Sequence, residues 1–139
     1  MNGRARLYVI GAAGALIAAL VLWWQPYSAD WPGTAYTRQA RRYVGAALHQ
    51  DSASLHRLST SGRPVAWALR AARTVPESLR AWAAGGQAWV GEHRGDTTQV
   101  FFYPPGDQCS ESPIVFRFVG AGRTARVVAA DSKCLVAAR

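Results

Sequence analysis

Leu7 to Trp24 reads LYVIGAAGALIAALVLWW, 18 residues without a charge. Nothing else in the chain restricts its folding so strongly. A helix that is apolar on every side has to be buried, by protein or by lipid. Rising about 1.5 Å per residue, this one reaches about 27 Å, close to the ~30 Å hydrocarbon core of a bilayer. Arg4 and Arg6 precede it, and Trp23, Trp24, Tyr27 and Trp31 follow it. Rings with an apolar body and a polar tip suit the membrane–water interface. The run therefore predicts a single transmembrane helix.

A cleaved signal peptide has a shorter apolar run, of about 7–15 residues, and a small-x-small cleavage site. The best cut here, after Ala29, puts the bulky Tyr27 three positions before it. No cysteine follows the run as a lipoprotein acceptor. A retained anchor is expected. Gln25 to Thr37 contains no Lys or Arg, so the positive-inside rule leaves the N-terminus in the cytoplasm and the remainder outside. Arg38, Arg41 and Arg42 act weakly against this orientation. The expected location is the inner (cytoplasmic) membrane, with a periplasmic domain. Gly11, Ala15 and Ala19 recur every four residues, as do Gly14 and Ala18. Small residues so spaced let another helix approach closely, although an alanine-rich chain also produces them by composition.

The implied segments are 1–24, a cytoplasmic tip and the transmembrane helix; 25–34, an interfacial linker with Pro26, Pro32 and Gly33; and 35–139, one folded domain. Half of the 139 residues are hydrophobic, enough for a core. Lys plus Arg is 16 against 8 Asp plus Glu, and Lys133 is the only lysine. No basic run concentrates the field, and nucleic acid is not expected outside the cytoplasm. Anionic headgroups or an acidic protein face remain for the excess charge to meet, beside a plain solvated surface. Cys109 and Cys134 both fall in the exported part, where two thiols pair. A disulfide closing that loop of about 25 residues contributes roughly 3 kcal/mol.

Beyond the linker the hydrophobic period is first near 3.6. Tyr36, Ala40, Tyr43, Val44, Ala47 and Leu48 form one stripe of a helix from Thr34 to Gln50. Asp51 or Ser52 caps a shorter helix carrying Leu55 and Leu58. Pro64 suits the opening of a helix with Val65, Ala68, Leu69 and Ala72 on one side. Thr74 to Glu77 has capping-box spacing and opens a last helix, stopped at Gly85-Gly86. The period then falls to 2. Gln87–Arg94 and Thr97–Tyr103 flank a Gly95-Asp96 turn, Pro113–Val119 and Arg123–Ala130 follow, and Lys133–Ala137 is a possible fifth strand. Helices first and a meander second mean α+β, with Phe116 and Phe118 facing the first helix of the domain.

Ala40-Arg41-Arg42-Tyr43-Val44-Gly45-Ala46-Ala47-Leu48, then His49-Gln50-Asp51, Leu55 and Leu58, resembles the opening helices of the NTF2-like (cystatin-like) superfamily. The resemblance covers about 36–134. It implies helices packed on a curved antiparallel sheet of four to five strands. Enzymes of that group place Asp and Tyr deep in the cone between helix and sheet, but no such role maps onto a residue of this chain.

Chemistry is sparse. His49, Asp51 and His56 are the densest polar cluster, without metal-ligand spacing. Glu92, His93 and Asp96 read as turn residues. Arg94-Gly95-Asp96 spells an adhesion tripeptide in residue types that a turn requires anyway. No nucleophile is placed by a motif. No metal, cofactor or catalytic residue is expected. Trp67, Trp82 and Trp89 are core rings or interface rings. Arg41, Arg42 and Trp67 are the expected contacts to a partner, because Trp and Arg dominate interface energetics. Two functions fit: a non-catalytic accessory subunit among other integral-membrane subunits, of a respiratory or photosynthetic kind, or a free-standing anchored domain that binds or converts a small apolar ligand.

Overall fold

The computed structural model describes residues 3–28, 32–106 and 112–136, with side chains over 8–20, 35–106 and 112–135. The chain divides into two compact units, Met1–Trp31 and Pro32–Arg139.

In the first unit, helix α1 runs from Gly3 to Ser28. It continues through Gln25–Ser28, where proline and glycine content predicts a linker. Every described side chain on it, Tyr8 to Leu20, is exposed. Those side chains cover about 20 Å of helix. Among the described residues no helix is long and apolar enough to cross a membrane. The apolar sequence continues to Trp24, beyond the described side chains. Trp23, Trp24, Tyr27 and Trp31, assigned to a membrane interface, also lie outside them.

The second unit is α+β. Helices α2 (Pro32–Leu48), α3 (Ser52–Leu58), α4 (Gly62–Thr74) and α5 (Pro76–Gly85) precede four strands. These are β1 (Gln87–Arg94), β2 (Thr97–Tyr103), β3 (Ile114–Val119) and β4 (Arg126–Asp131), antiparallel and in sequence order across the sheet. The β1–β2 turn works because Gly95 takes φ 63°, the left-handed value that the first position of a type II′ turn needs.

Three local expectations are corrected. Lys133–Val136 forms a helical turn, α6, rather than a fifth strand. The Asp131 carboxylate accepts from the Ser132 N–H at 2.9 Å at the end of β4, and such a local bond competes with the sheet ladder. Thr74 does not cap α5. Its hydroxyl donates to the Arg70 carbonyl at 2.6 Å within α4, and Val75 is the N-cap, with Pro76 supplying a helical φ. Strand β4 starts at Arg126 because a 3₁₀ turn occupies Gly122–Thr124.

The core lies between α2 and one face of the sheet. Tyr36, Ala40, Tyr43, Val44 and Ala47 are buried along α2, and Val100, Phe102, Ile114, Phe116, Phe118 and Val127 are buried from the strands. Tyr43 meets Phe116 edge-on at 5.4 Å between centroids, and Tyr36 meets Phe118 at 5.2 Å. At about 25 cal/mol per Å², each buried Phe contributes roughly 2–3 kcal/mol. The Tyr43 hydroxyl donates to the Pro64 carbonyl at 2.6 Å, tying α2 to α4. Burial pushes that phenol well above its usual range, so it stays a neutral donor.

Both sheet edges are engaged. On the β1 side, Thr37 Oγ1 accepts from the Ala88 N–H and Arg41 Nε donates to the Gly86 carbonyl, each at 2.9 Å. On the β4 side, Ser59 forms a parallel bridge with Val127, and the Thr60 N–H donates to the Val127 carbonyl at 2.9 Å. Edge groups satisfied in this way are poor templates for another strand.

Two glycines give opposite expectations. A Cβ on Gly86 would stand 2.6 Å from the Trp82 carbonyl oxygen and 2.4 Å from Phe102 Cζ, whereas one on Gly45 meets nothing within 4 Å. In urea unfolding, Gly86→Ala is expected to destabilise by about 1–3 kcal/mol, the usual cost of overpacking. Gly45→Ala, in the middle of α2, is expected to stabilise by about 0.5–1 kcal/mol.

Candidate functional site

The polar cluster at the α2–α3 break serves local structure. Gln50 takes φ 54° there, and Asp51 caps α3 by accepting from the Ser54 N–H at 3.0 Å. Hydrogen bonding to Ser54 holds the Asp51 carboxyl below the usual carboxylate range. His49 and His56 are exposed. Among the described residues no three His, Cys, Asp or Glu are grouped to hold a metal.

At the far end of β1, Glu92 pairs with Arg94 at 3.0 Å, both exposed. His93 departs from its reading as a turn residue. Its Nδ1 is 2.8 Å from Thr98 Oγ1, and the Tyr36 hydroxyl donates to the same Thr98 oxygen at 3.3 Å. A bulge between Val90 and His93 reverses the alternation and brings His93 opposite Thr98. The one sequence signal was Gly91, a glycine inside a strand. This chain of three groups links an exposed ring to the buried Tyr36 and Thr98. No carboxylate or nucleophile joins it.

The interior is occupied. Trp82 is 1 % exposed and lies in one cluster with Tyr36, Tyr43, Phe102, Phe116 and Phe118. The buried polar side chains among the described residues are Gln39, Ser59, Thr98 and Ser132, with no acid or base among them. Gln39 Nε2 donates to the Arg123 and Ala125 carbonyls, each at 2.9 Å. Gln39 Oε1, Ser59 Oγ and Trp82 Nε1 find no partner among the described residues.

The surface carries what is left. Trp89 is 64 % exposed on the outer sheet face, paired across β2 with Phe101, beyond which lies Val115. The Phe101 ring covers Gly91, where a Cβ would come within 2.5 Å of Cε2. Beside this patch a cleft of about 420 Å³ is lined by Glu92, Arg94, Thr97, Gln99, Arg117 and Val128. A second cleft, of about 380 Å³, is lined by Thr37, Arg38, Arg41 and Arg42 on α2. Of the expected partner contacts, Arg42 is exposed, Arg41 is half-buried with its Nε committed to Gly86, and Trp67 is half-buried against the core. Of the three tryptophans read as core or interface rings, Trp82 is buried, Trp67 half-buried and Trp89 exposed. On α1, Gly11, Gly14, Ala15, Ala18 and Ala19 are exposed, and a Cβ on either glycine meets nothing within 4 Å.

No cysteine among the described residues is free. Cys134 is the second residue of α6, and Cys109 lies outside the described residues. The Ser132 hydroxyl donates to the Ser112 carbonyl at 3.3 Å, which brings the end of β4 beside the start of β3. Each cysteine is within three residues of that contact in sequence, so a Cys109–Cys134 bond remains the proposal.

The chain matches no protein-family model, no curated protein and no solved structure.

Thiol labelling under denaturing, non-reducing conditions tests the cysteine pair. The expected mass gain is zero before reduction and two labels after it. Two labels on unreduced protein would rule the pair out.

Proposed function

We propose that this chain is a non-catalytic accessory subunit of a bacterial integral-membrane complex, respiratory or photosynthetic in kind. Helix α1 is its single membrane anchor, and the α+β domain stands on the periplasmic side. The observation that carries the reading is the exposure of α1. Tyr8, Val9, Ile10, Leu16, Ile17 and Leu20 all face outward. A helix apolar all round is stable only where something else covers it. The uncharged sequence from Leu7 to Trp24, with arginines before it and tryptophans at its end, supports lipid as that cover. The exposed small-residue side of Gly11, Ala15 and Ala19 supports a neighbouring helix.

The domain fits the same role. Its interior is filled by aromatic rings and carries no charged group among the described residues. An apolar-ligand domain needs a concave, largely open cavity. The two clefts lined by described residues lie instead on α2 and on the outer sheet face. Four helices before an antiparallel meander, with bulges at Val90/His93 and Arg117/Phe118, support an NTF2-like domain as the finer assignment.

Gentle detergent extraction and co-purification test the role. Wild-type protein is expected to come out with large integral-membrane partners in fixed stoichiometry. Gly11→Leu/Ala15→Leu is expected to insert normally and lose them, because side chains then fill the space a neighbouring backbone needs. Recovery of both proteins as lone monomers would refute the proposal.

A further inference from the structure

We propose that the α2 cleft formed by Thr37, Arg38, Arg41 and Arg42 binds the phosphate of an anionic lipid headgroup. The proposal rests on the anchored reading and names what the domain's basic helix meets. Arg38 and Arg42 stand one turn apart in the lining of the cleft, and neither has a hydrogen bond or ion pair among the described residues. Like charges at i and i+4 destabilise a helix. Helix α2 carries three arginines and no acid to offset them. A local conflict kept without internal compensation is expected at a functional position.

Arg41 and Thr37 make the cleft a prepared one. The bond from Arg41 Nε to the Gly86 carbonyl anchors that guanidinium beside the cleft. Thr37 is held by the Ala88 N–H at the β1 edge. Planar guanidinium forks match phosphate oxygens in pairs. The volume, about 380 Å³, lies within the range of small-molecule sites.

Position in the chain selects lipid as the source of the phosphate. Helix α1 ends at Ser28 and α2 begins at Pro32. With α1 in a bilayer, Arg38 to Arg42 are juxtamembrane arginines, the kind that anionic headgroups attract. Neither a soluble phosphate nor an acidic protein would require this closeness to the anchor.

The full chain in detergent is offered phosphatidylglycerol and phosphatidylcholine together, and the lipids it retains are counted by native mass spectrometry. Wild type is expected to keep phosphatidylglycerol preferentially. Arg38→Gln/Arg42→Gln is expected to lower the preference roughly thirty-fold, the effect of two charges beside an anionic surface. Arg63→Gln/Arg70→Gln removes the same charge from exposed positions on α4 and is expected to leave the preference unchanged. The α2 variant should unfold no earlier than wild type on heating, since it relieves like-charge repulsion. No preference in wild type, or equal loss in both double variants, overturns the proposal. Displacement of phosphatidylglycerol by millimolar inorganic phosphate with no preference among lipids would assign a free-anion site and overturn the lipid assignment. Flotation with vesicles of phosphatidylcholine alone tests the anchor separately. A chain that fails to float there refutes the anchored reading, while the retention ratio still decides the cleft.

Discussion

Tyr43 stands where α2, α4 and the sheet meet, and the second unit depends on that contact. Its ring lies edge-on against Phe116, and its hydroxyl reaches the Pro64 carbonyl. One side chain thus fixes how α2 crosses the strands and where α4 begins. The rest follows from that placement. With α2 held, Tyr36 reaches Phe118 and Thr98, Gln39 reaches the carbonyls at Arg123 and Ala125, and Thr37 and Arg41 reach the edge of β1. The face of α2 turned to the sheet supplies packing. The flank at Arg38 and Arg42 lines a cleft on α2.

Among the described residues, aromatic rings make up much of the core between α2 and the sheet. The space between helix and sheet, where an enzyme of the resembling family would hold a substrate, is taken by Tyr36, Tyr43, Phe102, Phe116, Phe118 and Trp82. The charged groups are at the surface, where water screens them. What distinguishes the surface is Trp89 beside Phe101 on the outer sheet face, and the arginines of α2. These are residue types that bind by contact area and by charge.

Much of the domain was legible in the sequence, for physical reasons that also mark where legibility ended. The α2 stripe from Tyr36 to Ala47 was readable because burial on one side imposes a period near 3.6. Strands β1 and β2 carried their alternation and a Gly-Asp turn between them, so their bounds were readable too. Where a local hydrogen bond competes with the regular pattern, the pattern misled. Thr74 had capping-box spacing, yet its hydroxyl turned back into α4; Asp131 held Ser132 at the end of the last strand. Strict alternation also puts His93 on the face opposite to Thr98, and the bulge before it set the two across from each other while His93 stays exposed. Arg41 was readable as a contact residue by type, but only tertiary packing brought Gly86 within its reach. Trp89 and Trp82 share a residue type and differ only in which side of a fold they occupy.

The central claim is that the apolar side of α1 is covered by lipid or by another subunit in the cell. A cysteine replacing Ile17 reports this directly, read as the labelling rate by a water-soluble, membrane-impermeant maleimide in intact membranes. Ala66, exposed on α4, gives the reference rate through Ala66→Cys. The account predicts that Ile17→Cys stays unlabelled until strong detergent strips the membrane, while Ala66→Cys reacts at once from the periplasmic side. Labelling of Ile17→Cys as fast as Ala66→Cys in untreated membranes would mean that water reaches α1, and would contradict the account.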